Sequence, residues 1–96
     1  GDRLPAPDAA EQGLIWECTY DDKLRDRAAE LSGRLAKGPT RAYHLIKQAL
    51  RHSLSATLDE QLAEEREMQQ TAGATADFAE GVAAFMEKRP AAFKGR

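Results

Sequence analysis

The chain has 96 residues and a formal net charge of −2, with 42% apolar and 31% charged residues. That length admits one domain at most, with marginal stability on its own, and the balance is that of a folded soluble chain rather than a disordered one. No apolar run approaches the ~18 to 20 residues that span a bilayer, and the opening GDRLPAPDAAEQ has no basic stretch followed by an apolar one, so a cytoplasmic protein without membrane contact is expected.

Cys18 is the only cysteine and cannot form an internal disulfide, and with two distant histidines it cannot build a zinc site. Charge is distributed in blocks. Residues 1–22 hold six acids and one base, 23–54 eight bases and two acids, 55–87 eight acids and one base, and 88–96 four bases and no acid. Such alternation favours neighbouring segments that pack with opposite fields, although solvated helix faces produce the same pattern.

In chain order, Pro7 to Gly13 reads as a short helix with Gly13 as its stop. Leu14 to Cys18 (LIWEC) is a compact apolar run that reads as one strand. A lone strand cannot satisfy its own backbone groups, so either its partners lie outside the chain or it is not a strand here. From Asp21 or Asp22 the period turns helical, with Leu24, Ala28, Leu31 and Leu35 on one stripe. KGPT ends that segment, Gly38 serving as stop and Pro39 suiting the first turn of the next helix.

The following helix gathers Ala42, Leu45, Ile46, Ala49 and Leu50 on one face. Thr57 and Glu60 form a capping box for the next. Its second half, EEREMQQT, offers only Met68 as a large apolar side chain and is expected at a surface or interface. After AGAT, Asp77 and Glu80 repeat the cap spacing ahead of Phe78, Val82, Phe85 and Met86, and Pro90 discourages continuation beyond Arg89. The expected fold is mainly α, with four helices of about 12 to 16 residues and one short strand near the N-terminus.

Chemistry is sparse. Arg41, His44, Gln48 and Arg51 share a helix face, but the negative net charge argues against phosphate attraction and hence against nucleic acid. His44 and His52 lie about 80° apart around a helix and do not make a metal pair. Glu64, Glu65 and Glu67 are explained by a polar helix face without acid–base work. The tail is sharper. Lys88, Arg89, Lys94 and Arg96 surround Pro90 and Phe93, and Phe85 stands three residues before Lys88, an apolar plate beside a point charge suited to a purine and a phosphate. Phe85 is equally a natural core residue.

GLIWE (13–17), GPTRAYHLIKQAL (38–50) and DFAEGVAAFMEKRPAAFKGR (77–96) resemble the C-terminal third of the enoyl-CoA hydratase/isomerase family, the crotonase superfamily. The likeness extends over essentially the whole chain, and GLIWE with EREMQQTAGATADF is most similar to the branch that isomerises ring 1,2-epoxyphenylacetyl-CoA in phenylacetate degradation. The resemblance implies a fragment: residues 1–20 a remnant of the preceding core, residues 21–96 a C-terminal helical domain for oligomerisation and for covering coenzyme A. It implies an acyl-CoA thioester substrate, trimers or hexamers in the parent, self-association of the fragment, and no covalently bound cofactor. Lys88 and Phe85 match the residues that reach the phosphate and adenine of coenzyme A, whereas Gln69 replaces a further aromatic near the adenine.

The family's oxyanion amides and catalytic carboxylates lie upstream, so no catalytic residue is expected in this chain and the fragment alone is expected to be inactive. Two other functions are weighed, a generic enoyl-CoA hydratase of fatty-acid β-oxidation and, from a different class, a free-standing helical module for protein interaction.

Overall fold

A computed structural model describes all residues, 1–96, as five helices and no β-strand. The chain divides into two compact units, residues 1–32 and 33–96. None of the helices is long and apolar enough to cross a membrane.

In the first unit, α1 (Ala6–Glu11) carries Pro7 in its first turn, where a missing N–H costs nothing. Gly13 ends it as expected, in the left-handed region at φ 74°. The Gly13 amide donates to the Ala10 carbonyl at 3.1 Å and the Leu14 amide to Ala9 at 2.9 Å, a Schellman closure. The strand expected over Leu14 to Cys18 does not form. Two of its amides, those of Leu14 and Ile15, are committed to the Ala9 carbonyl, and no other extended segment offers a ladder.

The run is instead pinned by Arg27 of α2 (Leu24–Ala36). The guanidinium donates to both Glu17 oxygens, at 2.8 Å from Nε and 2.9 Å from Nη2, and lies over the Trp16 ring at 5.5 Å. A third bond from Nη1 reaches Glu30 at 2.7 Å. These carboxylates, Glu17 foremost, hold Arg27 above its ordinary pKa.

In the second unit, α3 (Thr40–His52) packs against α4 (Leu58–Gly73), and α4 against α5 (Ala76–Glu87). Gly38 is not in the left-handed region. It supplies space instead: a Cβ at Gly38 would meet the Tyr43 ring at 2.7 Å from Cζ, so close approach rather than backbone freedom requires the glycine. Pro39 sits one position before the helix, as its N-cap.

Gln61 joins α3 to α4, its amide donating to the Ala49 carbonyl at 3.3 Å and its oxygen lying 3.1 Å from His52 Nδ1. The capping box at α4 is present, with Glu60 N–H donating to Thr57 Oγ1 and the Glu60 carboxylate accepting from the Thr57 amide at 2.8 Å.

α5 corrects an expectation. Its cap is Thr75, whose Oγ1 accepts from the Phe78 amide at 3.1 Å, because a capping side chain must precede the first helical turn and Asp77 already lies within it. Freed from capping, Asp77 accepts from the Lys94 and Gly95 amides at 2.7 Å each, while its own amide donates to the Arg96 carbonyl at 2.9 Å. The tail therefore folds back along α5. Asp77 and Ala84 are the two buried residues of the chain, so the best-protected part of the molecule lies at α5 and its returning tail.

Thr57→Ala removes half of one cap and is expected to cost about 1 kcal/mol. Asp77→Ala strips a charged acceptor from two amides and is expected to cost more, roughly 2 to 3 kcal/mol. Urea unfolding of the two variants checks the order, and a smaller loss for Asp77→Ala would refute the clamp as a stabilising element.

Candidate functional site

The last turn of α5 ends on Lys88, which adopts left-handed dihedrals of φ 53° and ψ 40°. Its amide donates to the Phe85 carbonyl at 3.3 Å and the Arg89 amide to Ala84 at 3.0 Å, again a Schellman closure. Glycine normally occupies this position; a side chain there costs about 1 to 2 kcal/mol of backbone strain. Such strain persists only where the surroundings over-determine it.

Those surroundings are Glu80 and Arg89. Arg89 donates to both Glu80 oxygens, at 2.6 Å from Nη1 and 3.0 Å from Nη2, and from Nε to Glu87 at 2.5 Å. Glu80 also accepts from the Ala92 amide at 2.8 Å, beyond Pro90. One carboxylate thus grips the tail on both sides of the proline. Further along, Gly95 has φ 74°, and a Cβ there would lie 2.5 Å from Thr40 Oγ1, so both backbone shape and the approach to α3 require glycine.

The two residues singled out from the sequence lie at the C-terminal end of α5, Phe85 in its last turn and Lys88 at its cap. Phe85 is 82% exposed, and with Phe78, Val82, Phe93, Pro39 and Ala72 it lines an apolar cavity of about 370 Å³. Lys88 is exposed one turn on, and its ammonium makes no hydrogen bond or ion pair. Among the four tail cations, Arg89 is neutralised by two acids, whereas Lys88 stands uncommitted on an anchored backbone. Gln69 lines a different groove, with Ile46, Leu50 and Met68. The end of α5 thus carries an exposed aromatic ring in its last turn and, three residues on, an exposed ammonium on a restrained backbone.

Sequence reasoning did not identify Asp77 and Glu80 as tail anchors. The available signal was charge: an acidic block directly before a basic one, with a proline early in the second that ends the helix and lets the chain return onto the first.

The family model for enoyl-CoA hydratase/isomerase matches residues 1–96. The 1,2-epoxyphenylacetyl-CoA isomerase of Escherichia coli K12 is 45% identical over 96 residues, which are 100% of this chain and 37% of that protein. A probable enoyl-CoA hydratase of Rhodobacter capsulatus is 42% identical over 95 residues, 99% of this chain and 37% of its own length. An enoyl-CoA hydratase/isomerase-type crystal structure from Mycobacterium abscessus superposes with a TM-score of 0.92 at 38% identity, over 100% of this chain and 37% of that one. The chain thus spans a little over a third of the length of the relatives it matches.

Arg89, then the Ala92 amide, lowers the Glu80 pKa from 4.5 to about 2. A depressed carboxylate contributes stability that is complete above its unfolded pKa and is lost as pH falls through the folded one. Unfolding followed between about pH 5 and pH 2 is expected to show an acid-labile component that Glu80→Gln removes; an unchanged acid limb in that variant would refute the assignment.

Proposed function

The chain belongs to the enoyl-CoA hydratase/isomerase family, and on that premise we propose that it is the C-terminal segment of an acyl-CoA enzyme that isomerises ring 1,2-epoxyphenylacetyl-CoA in phenylacetate catabolism. The observation that carries this reading is the 45% identity, over every residue of the chain, to an enzyme of that name. The product in this reading is a seven-membered oxepin-type ring thioester. A second reading, hydration of an enoyl-CoA, is supported by the 42% identity to a hydratase and is separated from the first by assaying both substrates. The free-standing interaction module has no comparable observation on its side.

Within either enzyme the segment has two roles. Lys88 places its ammonium against a phosphate of coenzyme A, and the exposed Phe85 ring lies against the adenine. The apolar residues that the chain leaves exposed, Ile46, Leu50, Leu58, Leu62 and Met86 among them, are contact surface for oligomerisation. The acyl-transforming groups, oxyanion amides and carboxylates, lie outside these residues.

In the full-length enzyme, Lys88→Ala is expected to raise KM for the acyl-CoA about tenfold with a smaller change in kcat, since a charged contact to a non-reacting part of the substrate binds ground and transition states alike. An unchanged KM would remove Lys88 from the site. The 96-residue chain by itself is expected to leave crotonyl-CoA unconsumed and to self-associate in light scattering; turnover by a clean preparation, or a strictly monomeric mass at high concentration, would contradict the corresponding half of that expectation.

A further inference from the structure

Lys88 has the strained backbone conformation that a coenzyme-facing residue would need fixed in advance, and its own side chain does nothing to fix it. The restraint comes from its neighbours. Arg89 is held by Glu80 in a two-pronged ion pair and by Glu87, and the chain two residues beyond Pro90 is held by the same Glu80 through the Ala92 amide. Upstream, the Lys88 and Arg89 amides are tied to Phe85 and Ala84 of α5. The turn at Lys88 is therefore closed on both sides, with the ammonium outside the closure.

We infer that Glu80 and Arg89 are positioning residues for coenzyme binding: their ion pair locks the left-handed turn from which the Lys88 side chain departs. This inference rests on the coenzyme reading of Lys88 and adds to it the residues that act through Lys88 without touching the ligand. Without the pair, the turn relaxes toward ordinary backbone conformations, and binding must supply the ordering that the free protein now holds ready. The loss falls on affinity. Turnover of bound substrate is spared, because in the coenzyme reading Lys88 touches a phosphate and not the reacting acyl group.

The test is a double-variant cycle in the full-length enzyme, with affinity for free coenzyme A read by calorimetry and KM and kcat read by steady-state kinetics. Lys88→Ala is expected to weaken coenzyme A about tenfold, and Glu80→Ala about threefold to tenfold with kcat within about twofold. In the Lys88→Ala background, Glu80→Ala is expected to add no further loss, since a residue acting only through Lys88 has nothing left to act on. Losses that multiply overturn the inference. A loss in Lys88→Ala alone, with Glu80→Ala unaffected, overturns it while leaving the coenzyme reading intact; no change in Lys88→Ala overturns both. If Glu80→Ala does not fold, Arg89→Lys replaces it in the cycle, keeping the charge but losing the two-pronged geometry, and the same outcomes apply.

Discussion

Two carboxylates three residues apart on α5 hold a tail that carries no secondary structure of its own. Asp77 takes the Lys94 and Gly95 amides, and Glu80 takes the Arg89 guanidinium and the Ala92 amide. A tail without a ladder or helix must find partners for its amides elsewhere, or leave them to water. Here acceptors on the preceding helix provide them, and charge makes each bond stronger than a neutral one. The left-handed turn at Lys88 lies between these anchors, and the buried Ala84 is on the same helix.

The rest of the molecule is unusual for how little it hides. Ala84 is the one buried apolar residue, while Trp16, Ile46, Leu50, Leu62, Phe85 and Met86 remain open. A helix with apolar residues at heptad-like spacing normally derives its stability from the partner that covers that face. In α3 the stripe meets α4 along only part of its width, and Ile46 and Leu50 stay more than half exposed. Apolar surface of that extent calls for covering by further protein.

Electrostatics organises both units in the same manner. In residues 1–32, Arg27 from the first basic block captures Glu17 from the first acidic one; in residues 33–96, Arg89 from the basic tail captures Glu80 and Glu87 from the acidic block before it. Each pair joins an irregular stretch to a helix. A guanidinium fork suits that task, since it accepts a carboxylate edge-on and still has an N–H to spare. Both arginines use that spare donor, on Glu30 and on Glu87.

By itself the sequence determined the helices, the Thr57–Glu60 capping box and the stop at Gly13, because all of these are set by residues within four positions of each other. It overstated LIWEC, since an apolar run states an appetite for burial but not which carbonyl its amides will meet; α1's end claimed them first. It misassigned Asp77 and Glu80 as caps because the spacing is the same, and only the chain's path shows that Thr75 already holds that role. The tail clamp spans separations of nine to eighteen residues, and the glycine requirements at 38 and 95 arise from side chains that approach through space. Those features depend on where a proline-broken tail lands after folding, a fact of tertiary packing that no local pattern encodes.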